Sequence, residues 1–432
     1  MKKIKAHRKF LTTAAFLCAS FVIISAAVLN YEAGESAWPE SQDSTTGTPG
    51  LPSTDIGITS EDADQPDDNM ADSPETSDEA ADDNAAREDD PADTADPEET
   101  REERITAALS EMTSREKLNQ MFMVAYNDVS ANADDIFGAY ILFAWNLENE
   151  TPDTVSKKLA DLQSRSKYGA VVAVDEEGGT VTRISRFTQY RSEKYKSPRE
   201  LWSEGGIDAV VSDTVDKAEL LGSLGFNMNM APVADISQSM DEFMYYRSIG
   251  LEPEETAQFV CAVIDSSRDH GVMSVAKHFP GYGGAADTHT GMAYDNRPAE
   301  ILRERDFVPF KAAIDDGVSA VLVSHIIMEA IDPDKPASVS AKTVDILRNE
   351  LGYDGVIMTD DLAMAGITDF CTTGNAALEA ILAGCDMLCC SNYTEQYDAV
   401  WQAVLDGTIS EERLNASAAR ILRMKYDAGL WE

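Results

Sequence analysis

From about residue 104 to the C-terminus, short apolar runs recur in alternation with amphipathic stretches, and that alternation leaves few folds open. Strand-like runs stand at Gln120–Ala125, Tyr140–Ala144, Ala170–Val174, Asn227–Val233, Met273–Lys277, Ala320–Ser324, Val356–Thr359 and Met387–Cys390. Helical patterns fill most of the gaps, at Thr154–Arg165, Thr214–Leu224, Pro253–Arg268, Glu300–Asp315, Ser340–Leu351 and Ala376–Ala383. The tail SEERLNASAARILRMKYDAGLW reads as a last amphipathic helix, with Leu414, Ile421, Leu422 and Tyr426 at its apolar positions. Strands that alternate with helices form a parallel sheet covered by helices, and eight of them are what a closed barrel needs. The expectation is therefore an α/β chain with one catalytic domain, a (β/α)8 TIM-type barrel over residues 105–432. A doubly wound sheet is the rival, but it gathers its chemistry in one crevice at a switch point. Here polar residues close most strands: Asp175 and Glu176 after VVAV, Asp235 after APVA, Lys277 and His278 after SVA, His325 after VLVS, Asp360 and Asp361 after VIMT.

The segment ahead of the barrel cannot add to its core. Lys+Arg 35 against Asp+Glu 77 gives a net charge of -42. Residues 31–104 hold 25 acidic and 3 basic side chains, about half of that excess, and are poor in aromatic and β-branched residues. Such a stretch buries too little apolar surface to offset chain entropy, so 31–104 is expected to be a disordered acidic linker. Its charge excludes nucleic acid as a partner, because phosphate binding needs a basic surface. Residues 1–30 place MKKIKAHRKF before the apolar run LTTAAFLCASFVIISAAVLN. They are expected to be a signal peptide or an N-terminal membrane anchor, with residues 10–29 long enough to span a bilayer. The basic residues stay inside, so the barrel is expected to be extracellular or at the cell surface, tethered or secreted after cleavage. No other membrane contact is expected, and the barrel is expected to be a monomer. Beyond Cys18 the five cysteines are an odd set, and ILAGCDMLCC holds three of them in one apolar run, where free Cys behaves as a small buried hydrophobe rather than as a metal ligand.

Two segments carry the chemistry. In TDDLAM, successive side chains of a strand alternate faces, so only one of Asp360 and Asp361 enters the barrel mouth. Asp361 is read as the cap of a following helix and Asp360 as the catalytic candidate. In KHFPGYGGAADTHTGM, a loop with Gly281, Gly283 and Gly284 carries Asp287 and His289 two residues apart. A carboxylate beside an imidazole suits proton transfer near neutral pH, although the same residues also suit an ordinary surface turn. Asp175 and Arg183 in DEEGGTVTRI, with Arg247 in YYRSIG, can hold sugar hydroxyls or an acetamido group by charge-assisted hydrogen bonds.

Together these motifs resemble the β-N-acetylglucosaminidases of glycoside hydrolase family 3, from about Met112 to the C-terminus. ILFAWN, VDEEGGTVTRI, FNMNMAPVADI, YRSIG, AKHFPGYG with DTH, VLVSHI and GVIMTDDLAM occur in the family's order. The resemblance implies that Asp360 is the nucleophile and that His289, with Asp287, is the acid/base dyad. It implies substrate binding by Asp175, Arg183, Arg247, Lys277, His278 and His325. The loop reads GYGGA where relatives often read GHGDT, so Tyr282 and Gly284 replace polar residues, and Thr180 stands where an Arg-like residue follows EGG.

The implied reaction is retaining exo-hydrolysis of terminal β-linked N-acetylglucosamine by double displacement, with no metal and no cofactor. Cell-wall (peptidoglycan) fragments and chitooligosaccharides are the expected substrates. The alternatives are a family 3 β-glucosidase, which takes its acid/base from a domain after the barrel, and a catalytically inactive surface sugar sensor.

Overall fold

The computed structural model describes residues 100–431 apart from 128–129, 131–135, 286, 289–290 and 365–366. Residues 1–30, expected to direct export, the expected linker up to residue 99 and His289 lie outside the described residues. Among the described residues no helix is long and apolar enough to cross a membrane.

All eight expected runs become strands: β1 Phe122–Ala125, β2 Ala139–Leu142, β3 Val171–Val174, β4 Met228–Asn229, β5 Met273–Phe279, β6 Ala320–Val323, β7 Val356–Thr359 and β8 Leu388–Cys390. Every neighbouring pair is parallel, and β8 lies beside β1, with Phe122 in register with Leu388. A parallel bridge between Met358 and Met387 joins β7 to the residue before β8, which closes the ring. Every strand residue is buried, which is why these runs read as continuous apolar segments rather than as an alternation.

β4 is far shorter than the expected Asn227–Val233. Pro232 has no N–H to give to a ladder, and beyond Asn229 the chain stays beside its neighbours through irregular bonds, Met230 N to the Val174 carbonyl at 2.9 Å and Val275 N to the Ala231 carbonyl at 2.8 Å, with a further bridge between Val233 and Lys277. The helix expected from Thr214 starts at Pro198, with a break at Gly205–Gly206, where Gly206 has φ +60°. The helix Tyr393–Leu405 was not expected at all; its buried Gln396 and the short turn after β8 hide its pattern.

A helix ahead of β1 begins before residue 105. Thr100 and Glu103 form a capping box for the helix Arg101–Glu111, and REER, read as linker for its charge, is its first turn. Arg101 pairs with Asp427 at 2.8 Å and Arg423 with Glu102 at 2.9 Å, so the first and last helices of the described chain lie side by side. Beneath them Ile105, Ala108 and Met112 pack with Tyr168, Ala419 and Leu422. The C-terminal helix Glu411–Asp427 also sends Lys425 to the barrel floor, where its Nζ donates to Gln120 Oε1 at 2.6 Å and to the Gly169 carbonyl at 2.7 Å.

Candidate active site

The polar residues that close β3, β4 and β5 meet in one buried network. Asp175 and Glu177, two apart after β3, leave on the same side. Between their carboxylates sits Lys277 of β5, its Nζ 2.7 Å from Asp175 and 2.6 Å from Glu177. Arg247, from the loop after β4, holds Glu177 with a two-pronged contact, Nε at 3.0 Å and Nη2 at 2.7 Å. Burial alone would push the Glu177 carboxyl up, but Arg247 and Lys277 outweigh it and hold the group well below the usual carboxylate range. Burial would likewise lower Lys277, but Asp175 and Glu177 outweigh it and raise the ammonium. The turn that delivers these carboxylates needs its glycines: Gly178 has φ +103°, and a Cβ there would collide with the Lys196 carbonyl.

His278 continues the network. Its Nδ1 lies 2.7 Å from Asp235 Oδ2, and its Nε2 lies 3.1 Å from Arg247 Nη2. A guanidinium can only donate, so Nε2 accepts and the proton sits on Nδ1, facing the Asp235 carboxylate. The other Asp235 oxygen accepts from the Tyr282 amide at 2.8 Å. Tyr282 in turn hydrogen-bonds Thr288 Oγ1 at 2.6 Å, tying Asp235 to the residue between Asp287 and His289. Burial, and then the nearby Asp360, push the Tyr282 phenol up, which places the Asp360 carboxylate within electrostatic reach of this group. Of the loop glycines, Gly281 and Gly283 take positive φ and Gly284 does not. A Cβ at Gly283 would strike the Arg297 guanidinium, which bridges Asp295 and Asp306 under the loop.

Asp360 and Asp361 divide as strand geometry requires. The Asp361 carboxylate accepts from the amides of Ala363 at 3.1 Å and Ser391 at 3.0 Å. It thus fastens a turn over Leu362–Met364 to the start of the next loop and caps no helix among the described residues. Asp360 is partly exposed, as are Asp175 and Asp287, whereas Glu177 and Asp235 are buried.

His325 is buried with both ring nitrogens engaged, Nδ1 2.7 Å from Ser338 Oγ and Nε2 3.0 Å from the Asp361 carbonyl. The ring therefore braces the Asp360–Asp361 turn. Arg183 is half-buried, its amide donates to Glu176 at 2.8 Å, and its guanidinium makes no hydrogen bond among the described residues. Glu177 and Asp235 organise the network, and sequence reasoning had left both off the site. The i, i+2 spacing of Asp175 and Glu177 at a strand end was the available signal for the first, and the place of Asp235 after APVA was the signal for the second. The five cysteines after Cys18 are free, and Cys385, Cys389 and Cys390 are buried as expected.

Residues 113–424 match the glycosyl hydrolase family 3 N terminal domain. The chain belongs to glycosyl hydrolase family 3. It is similar to a beta-hexosaminidase of Nitrosomonas eutropha, 32% identical over 269 residues that cover 61% of this chain and 76% of the relative. Among solved structures, the family 3 chain resembles a beta-N-acetylglucosaminidase of Paenibacillus sp. str. FPU-7 (TM-score 0.68, 32% identity), covering 74% of this chain and 63% of that one. It also resembles LpqI of M tuberculosis (TM-score 0.67, 27% identity), covering 74% of this chain and 96% of that one.

Proposed function

We propose that this family 3 chain is a retaining exo-β-N-acetylglucosaminidase that removes terminal β-linked N-acetylglucosamine from cell-wall fragments or chitooligosaccharides. The observation that carries this reading is the pair of partly exposed carboxylates that follow two barrel strands, Asp175 and Asp360. Asp175 is bound by the buried Lys277 ammonium, which fixes it as an acceptor for sugar hydroxyls. Asp360 follows β7 on a turn braced by His325 and by the Asp361 contacts, and its Oδ1 accepts from the neighbouring Asp361 amide at 2.9 Å.

In the mechanism, the Asp360 carboxylate attacks the anomeric carbon and the glycosidic bond breaks, while His289, oriented by Asp287, protonates the departing oxygen. The same imidazole then takes a proton from water, which displaces Asp360 and frees the sugar with its configuration retained. Lys277, Asp175 and Arg183 bind the sugar. Arg247 and His278 act through Glu177 and Asp235 to hold those groups in place. The beta-hexosaminidase names of the relatives support the substrate class. The basic and apolar segments within residues 1–30 support an exported enzyme.

The test compares 4-nitrophenyl N-acetyl-β-glucosaminide with the β-glucoside on the full chain. Preference for the first is expected, and preference for the glucoside would make the chain a β-glucosidase. Asp360→Asn is expected to lower turnover by on the order of 10^4-fold or more. A fluorinated N-acetylglucosaminyl donor should leave its mass on the peptide that holds Asp360, and a label elsewhere would refute the assignment. His289→Ala should slow substrates with poor leaving groups more than activated aryl glycosides, and equal slowing would remove His289 from the acid role.

A further inference from the structure

By sequence, Tyr282 stands where relatives often carry a polar residue, in GYGGA against GHGDT. In the structure its hydroxyl is put to use. It lies 2.6 Å from Thr288 Oγ1, and both side chains are buried, Tyr282 at 1% exposure and Thr288 at 2%. Thr288 stands between Asp287 and His289, the two residues of the proposed dyad. The phenol thus ends on the stretch of chain that carries the acid/base groups.

The other end of Tyr282 is held firmly. Its amide donates to Asp235 Oδ1 at 2.8 Å, while Asp235 Oδ2 faces His278 Nδ1 at 2.7 Å. The ring meets the His278 imidazole edge to face, centroids 5.2 Å apart and planes at 83°, and its centroid lies 5.5 Å from that of Phe243. On either side of Tyr282 the backbone presses on one ion pair: a Cβ at Gly281 would collide with Asp306 and one at Gly283 with Arg297. A buried ring packed in this way has few positions open to it. Burial, and then Asp360, push the phenol up, so the hydroxyl keeps its proton at neutral pH. Removing it would leave the buried Thr288 hydroxyl to find another partner, and the chain around Thr288 would shift to do so.

We infer that Tyr282 is a positioning residue for the acid/base step: its hydroxyl fixes Thr288, and with it Asp287 and the imidazole at 289, relative to the sugar-binding network of Asp235, His278 and Arg247. This rests on the reading of Asp287 and His289 as the dyad. The part of the site that holds the sugar and the part that moves the proton share one rigid joint. No proton passes through Tyr282, and no bond changes at it.

Tyr282→Phe in the full chain removes the hydroxyl and keeps the ring. The measured quantity is kcat/KM, which reports formation of the glycosyl enzyme. On chitobiose, whose departing sugar needs a proton, it is expected to fall about tenfold, the effect of one buried hydrogen bond; on 4-nitrophenyl N-acetyl-β-glucosaminide, whose nitrophenolate leaves unaided, it should fall less than about twofold. Thr288→Val should match this pattern, Thr288→Ser should restore most of the loss, and Tyr282→Phe combined with Thr288→Val should lose no more than either alone. No loss, equal losses on the two substrates, or losses that multiply in the double variant overturn the joint. His289→Ala is measured beside them. If it slows both substrates equally, the dyad reading falls, and the joint is judged on the double variant alone: losses on chitobiose that do not multiply support it, and losses that multiply overturn it. If the wild-type chain cleaves cellobiose and not chitobiose, the sugar assignment falls, and the joint is scored in the same way on cellobiose and 4-nitrophenyl β-glucoside.

Discussion

Lys277 and Lys425 are buried at opposite ends of this barrel, and the protein treats them oppositely. At the mouth, Lys277 lies between the Asp175 and Glu177 carboxylates, which outweigh burial and raise its ammonium. At the floor, Lys425 reaches only an amide oxygen and a carbonyl, and burial lowers it to about 7. Depth is the same in both places, so the partners decide whether a charge is kept. Charge is retained at the mouth, where the proposed sugar site lies, and is given up at the floor.

The strongest way to break this contrast is Glu177→Gln. It strips the two-pronged partner from Arg247 and one of two carboxylates from Lys277, leaving buried positive charge under-compensated. Denaturant unfolding near neutral pH should show a loss of about 3–5 kcal/mol, with sugar hydrolysis falling alongside. A loss below about 1 kcal/mol would mean the network is far wetter than its burial indicates.

The floor makes a smaller claim with a definite sign. Lys425 takes up its proton more readily unfolded, at the ordinary value of 10.5, than folded, at about 7. Between those values the unfolded chain binds more protons, so stability is present above the upper value and is lost as pH falls toward the lower. Unfolding free energies at pH 7, 8, 9 and 10 should climb with a slope of up to about 1.4 kcal/mol per pH unit. Lys425→Met should flatten that climb, and an unchanged slope in the variant would acquit the lysine.

The mildest change sharpens the comparison by making the floor resemble the mouth. Gln120→Glu puts a carboxylate where Lys425 Nζ already finds an oxygen at 2.6 Å. The new pair should keep the ammonium charged, so the same titration should lose most of its slope below pH 10 while stability at pH 7 shifts by about 1 kcal/mol or less. Persistence of the wild-type slope would show that depth, rather than partnership, governs the site.

The scaffold was more legible than the machinery. Val356–Thr359 matches its observed strand residue for residue, because a run buried on both faces must be apolar throughout. Asn227–Val233 read too long, since β-propensity does not register that Pro232 gives no donor. Pro198–Leu224 was only half visible because Gly205–Gly206 interrupts its period, and Thr100–Arg104 was lost to its own charge. Within the site, Asp175, Lys277, Arg247 and His278 do come together as one network, as the quoted motifs imply. Glu177 escaped notice because a run of three acids reads as solvated surface until a lysine 100 residues later and an arginine 70 residues later are folded onto it. The bracing contacts of His325 were hidden for the complementary reason: a histidine at a strand end carries no mark of which partners its two nitrogens will meet.

The pairing of Phe122 with Leu388 sets a schedule for biosynthesis. The first strand to emerge must wait for the last, so a nascent polypeptide cut short before Leu388 leaves one flank of β1 and most of the flank of β7 as bare rows of amides and carbonyls, open to mispairing with any extended neighbour. Maturation therefore ends in a single late act, and until that act the half-made cylinder depends on solvent or a holding factor to keep its edges apart.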